Sequence, residues 1–150
     1  MIRRAPVRRA LAGLLDDWLR LVLVVIGAVT VLSGLGQLVV PGLVLDVLSG
    51  ASTATSRHLF AIVGMFMVVV GGLLVHGLLS PPTPAYVVLW AGLQKLGAFA
   101  AVGLGVARDL FASVALLVAV FDLATAVLCG VLWWRLSRRA HGVPAGAAVA

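Results

Sequence analysis

Two residues in this chain could do chemistry where nothing around them can. Lys95 is the only lysine, and it shares the apolar stretch from Leu89 to Trp134 with Asp122. A charge at the middle of a membrane helix costs about 2.5–3.5 kcal/mol on insertion scales, so two unrelated charges at one depth would be an expensive coincidence. Lysine can lose its proton when buried, whereas arginine effectively cannot. A Lys/Asp pair could therefore carry a proton, or neutralise an anionic headgroup or a carboxylate. It could equally do no more than fix how two helices dock.

Their spacing predicts that they meet. Both lie equally far from Arg108-Asp109, the best candidate for a tight turn. In an antiparallel hairpin, equal distance from the turn means equal depth. One helical turn from Lys95 stand Ala91, Gly92, Ala98 and Phe99; around Asp122 stand Val118, Ala119, Thr125 and Ala126. These are mostly small faces, suited to burial against another helix. Gln94 beside the lysine, and Thr30 at a similar depth on an earlier span, are candidates to complete a hydrogen-bond network. Gln37 shares the face of Thr30. Lys95, Asp122, Gln94, Thr30 and Gln37 together make the candidate intramembrane polar site.

Four apolar spans must position these residues: about 18–40, 58–79, 85–107 and 110–134, followed by a tail over 138–150 expected to be flexible. Each is long enough to cross a bilayer, which takes about 20 residues. The first is read as a retained helix and not a secretory leader, whose apolar core is shorter. Its residues Gly27, Thr30, Gly34, Gln37 and Pro41 recur at helical steps, with Ser33 beside them. That face is either a packing seam or a cavity wall. Pro41-Gly42 ends the span, and a short interfacial helix and then a polar loop fill the stretch to Ser56, the longest connection and a candidate lid or partner contact. In the second span Gly64, Gly71 and Gly72 thin one side. In the third, Gly97, Ala101 and Gly105 form a small-residue ladder. Met65 and Met67 read as gap fillers, and His76 as an interfacial residue. The fold class is all-α: a single domain, an integral membrane four-helix bundle.

Composition agrees. Of 150 residues, 63% are hydrophobic and 11% charged, and the mean hydropathy is +1.20; soluble domains carry about twice that charge. The net charge of +6 sits at the chain ends, which reads as an orientation signal and a contact with anionic lipid, not as a nucleic-acid surface. Arg3, Arg4, Arg8, Arg9, Arg20, Arg135, Arg138 and Arg139 fall on one side; Arg57 and Arg108 fall on the other. The positive-inside rule puts both termini in the cytoplasm, and Trp18, Tyr86, Trp90, Trp133 and Trp134 mark the same side.

The first span ending in Pro41, the run Arg57-His58-Leu59-Phe60-Ala61-Ile62-Val63-Gly64, and Leu93-Gln94-Lys95-Leu96 resemble the small bacterial four-helix membrane proteins of the DoxX-like group and neighbouring families of unknown function. The resemblance covers roughly residues 27–134. It implies a compact four-helix bundle in a bacterial cytoplasmic membrane and brings no catalytic motif. From the residues themselves, no catalytic set, cofactor motif or metal-ligand cluster is read, and the one cysteine, Cys129, excludes an internal disulfide. The leading expectation is a non-enzymatic accessory or small-molecule-binding subunit, with the lipid bilayer and a second copy or a membrane protein as partners. An oligomeric proton-coupled carrier is the alternative; it requires a cavity reaching Lys95. An enzyme acting on a lipid or quinone is a third reading.

Overall fold

The computed structural model describes residues 17–48 and 52–141. Arg3, Arg4, Arg8, Arg9 and residues 142–150 of the expected tail lie outside them. The fold is all-helical: α1 Trp18–Val39, α2 Pro41–Leu48, α3 Ala54–Leu79, α4 Ala85–Ala107 and α5 Ala115–His141. Four of these are long and apolar enough to cross a membrane. Large apolar side chains such as Leu32, Phe66, Val69 and Val120 stand exposed around the whole bundle. Such an outer surface suits lipid, in which apolar exposure carries no cost.

Sequence punctuation sets most boundaries. Pro41 opens α2 directly after Val40, at the place where a proline costs no amide hydrogen bond. Pro81, Pro82 and Pro84 separate α3 from α4. The start of α3 is set by a capping box. The Thr53 hydroxyl accepts from the Ser56 amide at 3.1 Å, and the Thr53 amide donates to Ser56 Oγ at 2.9 Å. Arg57 Nε adds a bond to Ser52 Oγ at 2.7 Å. The helix therefore begins at Ala54, ahead of the hydrophobic run, because reciprocal side-chain bonds satisfy its first amides.

The last connection is longer than the hydropathy suggests. Asp109 adopts φ 58°, the Leu110 amide donates to Gly105 O at 2.9 Å, and the Asp109 amide to Val106 O at 3.1 Å. These bonds form a Schellman ending, with aspartate in the left-handed position more often held by glycine. The next helix starts at Ala115, not at residue 110, and runs past Trp134 to His141. Residues 138–141, expected in the tail, are thus helical. Leu110 and Phe111 are apolar for a different reason: Phe111 folds back to cover Gly105.

Helices α1 and α3 form one close antiparallel pair and α4 and α5 the other. In the first pair, a Cβ built on Gly34 would fall 2.6 Å from Gly64 O, and one on Gly64 would fall 2.6 Å from Gly34 O. Only glycine at both positions lets the two backbones cross so closely. Gly72, Gly97 and Ala101 have no such role. Gly72 and Gly97 have nothing within 4 Å of a built Cβ, and Ala101 is exposed. Of the expected ladder on α4, only Gly105 is packed. Met65 is likewise exposed on the outer surface and fills no gap.

The two pairs join at the end that carries the start of α1 and the end of α5. Leu19, Leu23, Leu74, Leu78, Val88 and Leu132 form a buried cluster there with Ala91 and Cys129. Arg20 donates to the Thr83 hydroxyl, tying α1 to the proline loop. At the opposite end the pairs are bridged by the Ala112 amide, which donates to Leu48 O at 2.6 Å. Between the core cluster and that bridge the bundle is hollow.

Candidate functional site

Lys95 Nζ lies 2.6 Å from Asp122 Oδ1. Each residue is 5% exposed, so this is a buried, hydrogen-bonded ion pair between α4 and α5. Lys95 lies ten residues into α4, about 15 Å along its axis at 1.5 Å per residue. The Phe121 ring adds a cation–π contact, with its centroid 5.5 Å from Nζ. On the core side of the pair, Gly92 lets Cys129 approach α4: a built Cβ would fall 2.9 Å from Cys129 Cβ. Small residues thus bring the two helices together, and the charges meet each other, as the spacing predicts.

The ion pair forms part of the wall of a cavity of about 560 Å³, within the size range of small-molecule sites. Its polar lining comes from Thr30, Ser33 and Gln37 on α1, Gln94 and Lys95 on α4, and Asp122 on α5. The remainder is apolar, including Phe60 and Met67 of α3 and Phe121 of α5. Val44 and Leu48 of α2, with Phe111, close the end away from the core. Val29 and Ser33 on α1 and Leu117 and Val118 on α5 line it from exposed positions. Phe121 of α5 and Val63 of α3 line it from exposed positions too, so the cavity opens at the outer surface of the bundle, with most of its exposed rim on α1 and α5.

The expected network around the pair does not form. Thr30 Oγ1, Gln37 Oε1 and Gln94 Oε1 are buried and have no hydrogen-bond partner within the protein. All three residues line the same cavity. Thr125 behaves differently. It is 0% exposed, and its hydroxyl donates to Phe121 O one turn back, at 2.8 Å. A buried threonine on a membrane helix can satisfy itself in this way; Thr30, 3% exposed, does not. Leaving such a group unpaired costs about 1–3 kcal/mol, so three in one cavity are a substantial unmet demand for hydrogen-bond partners.

The five candidate residues therefore share one cavity, although only two of them bond to each other. The first span's polar face combines both readings of it: Gly27 and Gly34 pack on α3, while Thr30 and Gln37 wall the cavity. The roof residues Val44, Leu48 and Phe111 were not foreseen, and an apolar residue in an apolar run carries no signal of a cavity. Among the described residues, no group of three His, Cys or acidic side chains could hold a metal ion. His58 and His76 are exposed and lie away from the cavity. No family model, curated protein or solved structure matches the chain.

Proposed function

We propose that this protein is a multi-pass protein of a bacterial cytoplasmic membrane, of the DoxX-like kind, that binds a small molecule between its two helix pairs. Both termini face the cytoplasm, so the packed core lies on that side and the cavity opens in the outer half of the bilayer. One observation carries the reading: three unpartnered buried oxygens converge, with an ion pair, on one cavity. A purely structural bundle gains nothing from such atoms, and apolar residues there would be more stable. Lys95 and Asp122 hold α4 against α5 and form the polar floor. The protein performs no bond chemistry in this reading and serves as a binding or accessory subunit.

Gly36 supplies the test. It lines the cavity, and a side chain built there meets nothing within 4 Å. Gly36→Leu should fill the space while leaving the fold intact. Wild type and variant would be purified in parallel from membranes and their small-molecule extracts compared by mass spectrometry. A species retained by wild type and lost from the variant is the expected result. Identical extracts would overturn the binding function.

A carrier is the second reading, and the extent of the cavity favours it, since the space reaches Lys95. A carrier must also open toward the other side, where Leu19, Leu23, Leu78 and Leu132 are packed. Lys95→Cys, in a Cys129→Ala background, should react with aqueous thiol reagents from both sides in turn if substrate passes through. Reaction from one side only leaves binding without transport.

A further inference from the structure

The binding reading can be taken to a ligand class. The lining holds one cation and one anion, already bonded to each other. A charged head would add an uncompensated net charge beside a buried pair that is already neutral, with no other charged residue in the lining, a severe penalty. The site therefore favours a neutral ligand. Its unmet groups are two glutamine amides, unpartnered at Oε1, and a hydroxyl that can accept or donate, so the ligand must bring several hydrogen-bonding groups of its own, as a set of hydroxyls does. Thr30 and Gln37 stand two turns apart on α1, about 10 Å along the axis, so these groups must be spread along the head and not concentrated at one atom. The remaining wall is aliphatic and aromatic, and the mouth is flanked by Val29, Ser33, Leu117 and Val118, with Leu117 72% exposed. An apolar tail can lie there in contact with lipid.

We infer that the cavity takes a neutral, polyhydroxylated amphiphile. It enters sideways from the membrane between α1 and α5. Its hydroxyls donate to Gln94, Thr30 and Gln37 above the Lys95–Asp122 floor, and its tail leaves past Leu117 and Val118. The ion pair remains intact throughout and acts as a fixed dipole that rejects ions of either sign.

Photolabelling of the protein reconstituted in phosphatidylcholine vesicles tests this. Three probes share one diazirine-bearing alkyl tail and differ in the head: a maltoside, whose hydroxyls are spread over two sugar rings, a carboxylate and a trimethylammonium. Saturable labelling by the maltoside on the peptide carrying Leu117 and Val118 is expected. Joint replacement Thr30→Val and Gln94→Leu should raise its half-saturating concentration roughly tenfold or more, since each lost hydrogen bond is worth a few-fold or more in affinity. Gly36→Leu should abolish the labelling. Saturable labelling by a charged probe with equal affinity, or labelling indifferent to the loss of both acceptors, would overturn the ligand class and leave the binding function standing. If none of the three probes saturates, the ligand class falls, and the binding function is decided by the extracts of wild type and Gly36→Leu.

Discussion

The two ends of this bundle are built on opposite terms. At the end that holds the start of α1 and the end of α5, Leu19, Leu23, Val88, Cys129 and Leu132 are buried almost completely. At the α2 end, the same four long helices enclose a cavity whose polar atoms lack partners. Helix length and hydropathy do not account for the difference, because each long helix runs through both halves. The connections account for more of it. The proline loop and the Arg20–Thr83 bond draw the pairs together at one end. At the other, among the described residues, α2 and the 108–114 turn are joined through the backbone bond from Ala112 to Leu48. One half holds the fold and the other is free to hold something else.

The Lys95–Asp122 pair stands where the halves meet, and breaking it should give the largest effect. Removing one partner of a buried pair typically costs about 3–5 kcal/mol, because the other charge is stranded. Lys95→Met and Asp122→Asn should each lower the thermal midpoint of the protein in detergent by many degrees. The double variant should regain most of the loss, since two neutral side chains strand nothing. Additive losses would show that each charge is held by something other than its partner, and the pair would then belong wholly to the hollow half.

That pair also marks how far the residues alone could lead. Its formation was legible because hairpin geometry converts sequence distance into height. The actual turn is longer than a dipeptide, yet the two charges still meet, with Phe111 folded back on Gly105. The four spans were legible from hydropathy, with errors where hydropathy is not what ends a helix: the Thr53–Ser56 box and the left-handed Asp109. The choice among small residues was not legible. Gly64 and Gly97 look alike in sequence, yet one crosses a backbone and the other faces outward, and only tertiary packing decides which. The cavity itself is a property of all five helices at once. The sequence named its polar residues but supplied no reason for Thr30 and Gln94 to remain unpaired.

Packing should separate the halves at an intermediate scale. Leu23 is fully buried in the core cluster; Val102 lines the cavity. Leu23→Ala leaves a void among fixed neighbours. In lipid or detergent the transfer term is small, so the cost is mainly lost van der Waals contact, about 2 kcal/mol at the low end of such substitutions. Val102→Ala enlarges a space that already exists and should cost about 1 kcal/mol or less. Denaturant or thermal melts of the two variants would measure the gap. Equal losses would mean the hollow half is as tightly determined as the core.

The finest comparison uses two threonines. Thr30→Val and Thr125→Val make the same change of shape, one in each environment. At Thr125 the substitution deletes a hydroxyl bonded to Phe121 O, so about 1 kcal/mol should be lost. At Thr30 it deletes a buried hydroxyl with no partner in the protein, so stability should stay level or rise by about 1 kcal/mol. The opposite signs are the point. A residue that costs stability and can be replaced by a more stable isostere persists when something outside stability needs it. If Thr30→Val also raises the thermal midpoint while weakening ligand capture, the hollow half is a binding site maintained at the expense of the fold. If it destabilises as Thr125→Val does, Thr30 is part of the scaffold, and the demand for hydrogen-bond partners rests on Gln37 and Gln94 alone.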